Sequence, residues 1–374
     1  MVRYHHVTVD AHQPLSEQSD RGHNRWHEAI TPIAEVDPGD TVSIETLDAI
    51  DGQLAPGSTH EDVASVDLNR VHPLTGPITV NGAEPGDLLE IKLLDIEADP
   101  WDNWGFTAQV PNFGFLSDLF PDPYLVNWEL LDDYYAESLQ IPGVRIPYSP
   151  FAGIMGLAPS TSLRETTTAR EQALIDQGGT CLPPDVTGAI PGGEIGSQGL
   201  RTIPPRETGG NIDIKQLTPG SSLFLPVHQP GALFSTGDVH YAQGDCEACG
   251  TAIEMRSVVH LRFRVHKGVA ESRNIRFPQF SHDDYFSSSE MAVPRRFYAT
   301  TGMPIHPDGR NDGENLTLAA RNALISMIDH LETRGYDRQQ AYAICSVAVD
   351  LKVSQVVDVP NFIVSAILPL DIFI

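Results

Sequence analysis

The sequence has few basic residues, and lysine is especially scarce. Its 374 residues include 24 Lys and Arg against 50 Asp and Glu, for a formal charge of −26. Proteins that bind nucleic acid or anionic membrane surfaces need a basic face, so this balance argues against both classes of partner. Only four of the basic residues are lysines, which leaves little material for a lysine-dependent mechanism. The acidic composition fits a high-salt source and ordinary genome composition equally well.

Cysteines and long apolar runs are also scarce. Cys181, Cys246, Cys249 and Cys345 are too few to build a disulfide scaffold in a chain of this length. The first residues lack the charged and apolar regions of a signal peptide, so we expect a cytoplasmic location. Acidic residues and prolines interrupt the most apolar stretch, 356–374, which argues against a membrane-spanning helix and predicts buried strands instead.

Glycine and proline are frequent, which is typical of a β-rich protein with many turns. Three segments, 37–46, 84–96 and 218–227, begin with a Pro-Gly turn and continue as an extended run. Pro presets φ at the first corner of such a turn and Gly tolerates a positive φ at the second, so each segment predicts a strand. A fourth segment, 257–265, alternates apolar and polar residues, which predicts a strand with one buried face.

Two later regions lack a clear period. The aromatic-rich stretch 97–150 is interpreted as an ordered loop region that would serve as a lid or a subunit contact. Segment 160–210 is rich in Gly, Pro and Thr and is expected to be irregular.

The C-terminal part changes to a helical pattern. Apolar residues at 3–4 spacing over 320–331 predict a helix that ends at Gly335, and Asp337 begins a second helix with a capping-box pattern. We therefore expect a mainly β fold in two parts. A β-sandwich body over 1–265 would carry the site, and a smaller α+β lobe would cover 266–374.

The densest group of polar residues lies in 206–255. Asn211 and Asp213 are spaced i, i+2, as are Asp238 and His240, so in extended chain both members of each pair point to one face. Two such pairs on neighbouring strands would make an oxygen-rich site with one imidazole, suited to a divalent metal. Taken alone, an Asp-x-His pattern also fits a capped turn with a hydrogen-bonded histidine.

Asp245 and Glu247 follow on a glycine-flanked turn. They could act as a general base or support metal ligands, and a solvated turn is the alternative. Cys246 and Cys249 form an isolated C-x-x-C, which is weak evidence for zinc or redox chemistry.

Other motifs are less specific. The segment GHNRWHE (22–28) would either supply ligands or lock the N-terminus onto the sheet, and the second is favoured. His72 is best explained by a hydrogen-bonded turn. The glycines of GGEIGSQG (192–199) lack the flanking strand and helix of a dinucleotide site, and the sequence has no G-x-S-x-G, P-loop or H-E-x-x-H motif.

Several blocks in order resemble one family. The segments HNRWHEAITPIAEVDPGD, PFAGIMGLAP, RETGGNIDIK and GDVHYAQGDCE are similar to the acetamidase/formamidase family, and the resemblance runs from about residue 20 to the C-terminus. It implies hydrolysis of a small neutral amide to ammonia and a short carboxylate, a jelly-roll-like sandwich body and a homo-oligomer. The family usually shows GDGE where this chain has Cys246 in place of the second glycine.

With that activity in view, a divalent metal would polarise the amide oxygen and activate water. The metal, expected to be zinc, would be held by Asp213, Asp238 and His240, with Asp48 as a further ligand. Glu247 is the expected general base, with Asp245 as a second catalytic carboxylate, and Asn211 would orient the carbonyl oxygen.

Aromatic residues from 104–115, with Trp104, Phe106 and Phe115 as the named candidates, would close a small, dry pocket around the substrate. Two alternatives remain open at this point. One is a metal-independent amidase that uses Cys249 or a carboxylate as its nucleophile. The other is a non-catalytic β-sandwich module that binds a metal for structure alone.

Overall fold

The computed structural model of the chain describes residues 2–132, 134–285 and 294–374. Most of its regular structure is β. The strands, in chain order, are β1 (Tyr4–Val7), β2 (Gly22–His23), β3 (Arg25–Trp26), β4 (Ala34–Val36), β5 (Thr41–Thr46), β6 (Leu74–Val80), β7 (Leu88–Ala98), β8 (Trp104–Gln109), β9 (Tyr124–Leu130), β10 (Tyr135–Glu137), β11 (Arg145–Pro147), β12 (Phe151–Leu157), β13 (Leu200–Arg201), β14 (Gly209–Asn211), β15 (Ser221–Pro226), β16 (Phe234–His240), β17 (Glu254–Met255), β18 (Ser257–His266), β19 (Gln279–His282), β20 (Phe297–Gly302), β21 (Asp350–Gln355) and β22 (Ile363–Pro369).

Helices are fewer and lie mainly in the second half of the chain. They are α1 (His60–Val63), α2 (Thr161–Asp176), α3 (Gly193–Gln198), α4 (Val269–Ser272), α5 (Leu316–Thr333) and α6 (Arg338–Ala348). Among the described helices, none combines the length and the apolar character that a membrane crossing requires.

The four predicted strands lie side by side in a six-stranded sheet of order β1-β5-β18-β7-β15-β19. β5, β7 and β15 each follow a Pro-Gly turn, and Gly39, Gly86 and Gly220 in those turns have φ values of 95°, 91° and 99°. The turns therefore use glycine for the positive φ that the sequence predicted. β18 buries Val259, Leu261 and Phe263 on its apolar face.

A second, larger sheet carries the candidate site. Its main path is β11-β10-β9-β8-β17-β16-β12-β14, and β6 joins it through β16. Apolar faces of the two sheets share one core, where the rings of Phe234 on β16 and Phe263 on β18 lie 5.0 Å apart. This sheet-on-sheet packing forms the expected β-sandwich.

The C-terminal lobe consists of the antiparallel sheet β20-β22-β21 with α5 and α6 packed beside it. Asn315 caps α5, and Asp337 and Gln340 form the predicted capping box of α6. The mainly β fold with a C-terminal α+β lobe is thus confirmed. Buried residues of α5, α6 and β22 belong to the same core cluster as the sandwich, so apolar packing runs continuously across the proposed boundary at 265/266.

Three predictions about local structure were wrong. The stretch 97–150 is not a loop region, because it contains β8 to β11, and its aromatic side chains obscure the strand alternation by filling both faces. Segment 160–210 contains α2, which has no apolar stripe and is anchored by polar contacts, with Arg164 bonded to Glu28. Within 356–374 only Ile363–Pro369 forms a strand, and Val357 before it is exposed instead of buried.

Candidate active site

The candidate site is built around β12, at the centre of three adjacent strands. β14 and β16 flank β12, and β17 lies on the far side of β16. Asn211 at the end of β14 pairs with Ile154, whereas His240 at the end of β16 pairs with Phe151 on one side and Glu254 on the other. Residues that are far apart in sequence therefore meet at one end of this sheet.

A glycine in β12 allows the flanking segments to approach each other. A Cβ on Gly153 would lie 2.6 Å from Asp213 Oδ1 and 2.8 Å from His240 Cε1. Both separations are shorter than real Cβ contacts, so any larger residue would push the two side chains apart. The glycine in the PFAGIMG segment thus makes room for the site.

Five side chains form what we call the site cluster: Asp213, Asp238, His240, Glu247 and Glu254. Two overlapping triads share the imidazole, one with Asp213 and Glu247 and one with Asp238 and Glu254, and in each triad the potential ligand atoms lie within 4.8 Å of one another. His240 Nε2 is 3.4 Å from Asp238 Oδ1 and 3.2 Å from Glu254 Oε2.

Gln243 fixes the orientation of the imidazole. Its Nε2 donates to the Asp213 carbonyl oxygen at 3.0 Å, which turns its Oε1 toward His240 Nδ1 at 2.9 Å. His240 Nδ1 therefore acts as the donor, and Nε2 is left to face the carboxylates. In that position Nε2 must either carry a proton or coordinate a cation, as in many metal sites where a ligating histidine is held through its other nitrogen.

The turn that carries Glu247 is held by the C-terminal lobe. Gly244 N donates to the Ser346 carbonyl oxygen at 2.8 Å, and Cys249 N donates to Ser346 Oγ at 3.0 Å. Glu247 itself has a positive φ of 48°, as do Asp213 at 44° and Asp238 at 55°. Such left-handed backbone conformations are unfavourable for most residues and often occur at functional sites.

The carboxylates of the site cluster differ in their pKa values. Burial, followed by the charge of Asp238, raises the pKa of Asp213 to about 8. Burial and the charge of Asp213 raise the pKa of Glu247 well above its usual value. Burial also raises the pKa of Glu254 to about 7, although His240 opposes the shift.

Asp238 and His240 are the charged pair of the cluster. Burial acts to raise the pKa of Asp238, but His72 and His240 outweigh it and bring the pKa to about 2. Burial likewise acts to lower the pKa of His240, but Glu254 and Asp238 raise it well above the usual range. Without another cation, the cluster would balance its charge with protons.

A small cavity of about 50 Å³ opens onto the cluster. Its polar wall is made of His72, Asn211, Asp238, Glu247 and Glu254, and the opposite wall is apolar. Among the described residues, Asn211 Oδ1, Asp213 Oδ1 and His72 Nδ1 are buried without a hydrogen-bond partner. Buried polar atoms are nearly always paired, so these free atoms suit a ligand.

The structure brings together five of the residues that the sequence singled out: Asn211, Asp213, Asp238, His240 and Glu247. It does not bring Asp48 to them, because the Asp48 carboxylate accepts from the backbone N–H groups of Ile50 and Gly52 in a separate turn. Asp245 also lies apart, where it accepts two bonds from Gln216 Nε2 at 2.8 and 3.0 Å. Its geometry supports the turn of Glu247 and gives it no contact with the cavity.

The three aromatic residues expected around the substrate do not line the cavity, whereas another aromatic residue of the same segment does. Trp104 and Phe106 lie in the apolar cluster behind the cavity wall, and Phe115 packs toward Arg321. The aromatic residue that lines the cavity is Phe113, from the same segment. The sequence of 104–115 has no period that would distinguish these side chains.

Two site residues were missed by the sequence analysis. Glu254 lies within the polar segment 206–255 but was not singled out, and only its pairing with His240 across β16 and β17 reveals it. His72 was assigned to a structural turn, yet it lines the cavity. Burial lowers the pKa of His72 and outweighs the opposing effect of Asp238, which favours the neutral imidazole at neutral pH.

The remaining motifs have structural contacts. In GHNRWHE, His23 Nε2 lies 2.7 Å from Ser235 Oγ, and Glu28 pairs with Arg164, so this segment anchors the N-terminal region. Cys249 is buried beside Thr251, and burial raises the pKa of its thiol to about 11. A neutral thiol away from the cavity is a poor nucleophile.

Comparison with known proteins agrees with this geometry. The family model described as the Acetamidase/Formamidase family matches residues 8–374. An acetamidase from Mycolicibacterium smegmatis is 37% identical over 90% of this chain and 88% of its own length, and a formamidase from Methylophilus methylotrophus is 34% identical over 98% and 93%.

A solved structure extends the comparison to the fold. The gamma lactamase from Delftia acidovorans superposes with a TM-score of 0.93 at 35% identity, over 99% of this chain and 93% of that one. The resemblance drawn from the sequence is confirmed, and the chain belongs to the acetamidase/formamidase family of amide hydrolases.

Proposed function

We propose that the protein hydrolyses a short aliphatic amide at the site cluster, with the aid of a divalent metal ion. The observation that carries this proposal is the pairing of a cavity of about 50 Å³ with four carboxylates that share one imidazole. A cavity needs about 10–15 Å³ of space open to a water-sized sphere to hold one water, so this one has room for about four non-hydrogen atoms. Formamide and acetamide fit this limit.

The residues present suit a metal ion. In the described part of the chain, no lysine or arginine forms an ion pair with Asp213, Asp238, Glu247 or Glu254. Buried carboxylates are rarely kept without a partner, and burial raises the pKa of three of these four. A divalent cation would supply the missing positive charge and replace the protons.

We assign the ion to Asp238, His240 and Glu254. All three side chains are buried. The pKa of Glu254, about 7, is lower than the pKa of Asp213, about 8, so Glu254 loses its proton more readily. Three protein ligands beside an open cavity are typical of catalytic zinc, which is the ion we expect. When bound, it would polarise the amide oxygen and lower the pKa of water.

Asp213 and Glu247 would then form the acid–base pair. Their mutual charge and burial favour one shared proton, so the pair can take a proton from the attacking water and return it to the leaving nitrogen. Glu247 lines the cavity and is the member that would reach the substrate.

Asn211 and His72 would position the substrate. Asn211 Nδ2 donates to the Ile203 carbonyl oxygen at 3.1 Å, which leaves Oδ1 as the free atom. As an acceptor, Oδ1 suits the N–H of the amide better than its carbonyl oxygen, so we revise the role expected from sequence. The neutral imidazole of His72 offers Nδ1 for a further hydrogen bond in the cavity.

The test combines metal analysis with ammonia release from formamide, acetamide, longer linear amides and a γ-lactam. We expect hydrolysis of the smallest linear amides, loss of activity on chelation and recovery with zinc. Full activity in a metal-free sample would disprove the role of the ion, and hydrolysis restricted to the lactam would disprove the substrate assignment. A homo-oligomer and a cytoplasmic location stay predictions, which light scattering and cell fractionation would check.

A further inference from the structure

The residues of the apolar cavity wall differ in their exposure to solvent. Ala49, Ile50, Val71 and Val110 are nearly inaccessible, with exposures of 4%, 5%, 2% and 9%. Phe113 lines the same cavity, but 36% of it is exposed. It is therefore a residue that separates the cavity from solvent.

The backbone around Phe113 is held firmly. Phe113 N donates to the Val110 carbonyl oxygen at 3.0 Å, and Phe115 N donates to the Ala248 carbonyl oxygen at 2.9 Å. Asn112 and Gly114 on either side have φ values of 65° and 97°, which set the direction of the chain between them. With the backbone fixed, the side chain alone decides how far the wall extends.

The Phe113 ring rests on the turn that carries Glu247. A Cβ on Gly250 would lie 2.5 Å from the ring, so the ring is packed directly against the backbone there. Gly250 N closes this turn through the Glu247 carbonyl oxygen at 2.9 Å. The ring thus lies beside the turn of Glu247 and lines the same cavity, in which the amide would bind.

We propose that Phe113 sets the upper size limit of the substrate, admitting amides with an acyl group of one or two carbons and excluding longer ones. This inference rests on the proposed function. Truncating a fully buried wall residue would leave an internal cavity and destabilise the fold. Truncating Phe113 would extend the cavity toward solvent, so the substrate range can change while the fold is kept.

The experiment compares wild type, Phe113→Ala and Phe115→Ala on formamide, acetamide, propionamide and butyramide. Phe115→Ala is the matched control, because Phe115 lies two residues away and packs toward Arg321 instead of the cavity. We expect Phe113→Ala to raise the ratio of kcat/KM for butyramide to that for formamide by about 10-fold or more, as one methylene in an apolar pocket is worth at least that much. Phe115→Ala should leave the ratio unchanged.

Two outcomes would overturn the inference: an unchanged ratio in Phe113→Ala, or an equal change in both variants, which would indicate a general effect of the loop. If Phe113→Ala does not fold, Phe113→Leu replaces it, and an unaltered ratio there has the same meaning. Failure of the proposed function looks different, since wild type itself would then release no ammonia from any of these amides.

Discussion

Two acidic clusters in this protein balance their charge in different ways. The first is the site cluster around His240. The second, which we call the arginine cluster, consists of Asp48, Asp51, Asp99 and Asp102 with Arg70 and Arg256. Both are largely buried, and the sequence marked members of both as possible metal ligands.

In the arginine cluster each carboxylate has a fixed protein partner. Arg256 Nη2 lies 3.1 Å from Asp99 Oδ2 and also contacts Asp102, and Arg70 Nε donates to Asp51 Oδ2 at 2.9 Å. Asp48 instead accepts backbone N–H groups at 3.0 and 3.2 Å. Such a network is complete without a ligand.

In the site cluster a single imidazole serves four carboxylates, and some polar atoms have no partner in the described part of the chain. The comparison teaches that acidity and burial alone do not identify a metal site. A metal site is identified by carboxylates that lack fixed positive partners, because their negative charge must be balanced by protons or by a bound cation. Each of the following predictions tests this distinction.

The largest effect should come from the site cluster itself. We expect Glu247→Gln to lower kcat by about 10³-fold or more, because it removes the proposed proton-transfer group, while zinc still binds. Glu254→Gln should lose zinc affinity as well as activity, because it removes a proposed ligand. Metal content after dialysis, measured beside ammonia release, separates the two variants. Equal zinc loss in both would contradict the division of roles.

The next effect concerns the arginine cluster and should appear in stability. Arg256→Met leaves Asp99 buried without its cation, and removing one partner of a buried pair costs about 4 kcal/mol. Urea unfolding would measure the loss. The folded fraction should keep its kcat, with Arg256→Lys as the control that preserves the charge. A variant of normal stability but lost activity would place Arg256 in the site instead.

A smaller and opposite effect is expected when a site carboxylate is neutralised. In the metal-free protein, Glu254→Gln should raise the free energy of unfolding by about 2 kcal/mol, since it removes a buried charge near Asp238 that no lysine or arginine offsets in the described chain. Added zinc should reverse the order, because it stabilises wild type by binding the folded state. Loss of stability in metal-free Glu254→Gln would indicate that the cluster is already balanced.

The main strands and helices could be predicted because their signals are local. Pro-Gly turns, the alternation in 257–265 and the 3–4 spacing of α5 each depend on residues close in sequence. α2 could not be predicted, because its anchors, such as Arg164 to Glu28, join residues far apart. The strands within 97–150 were hidden because apolar residues occupy both of their faces.

The site could be predicted in part for the same reason. Asp238 and His240 form a recognisable pair at i, i+2, and Asn211 and Asp213 form another. Glu254 could not be found, since its neighbours in the cluster, Asp238 and His240, lie on the adjacent strand. Asp48 looked like a ligand because sequence does not show that its oxygens are taken by backbone N–H groups.

Asp48 supplies the last predicted effect, which falls on stability alone, and a direct control on the comparison. Burial raises its pKa to about 6 from an ordinary value of 3.8. Between about pH 4 and pH 6 the folded state therefore binds a proton that the unfolded state has lost, so stability falls as pH rises through this window. Asp48→Asn removes that penalty and can still accept the N–H groups of Ile50 and Gly52.

We expect Asp48→Asn to gain about 2 kcal/mol of stability at pH 7, to match wild type near pH 4, and to keep its zinc content and kcat. Urea unfolding at several pH values, with Asp213→Asn measured alongside, would check this. If Asp48→Asn lost zinc as Glu254→Gln is expected to, the arginine cluster would be part of the metal site, and a deficit of fixed cations would no longer separate the two clusters.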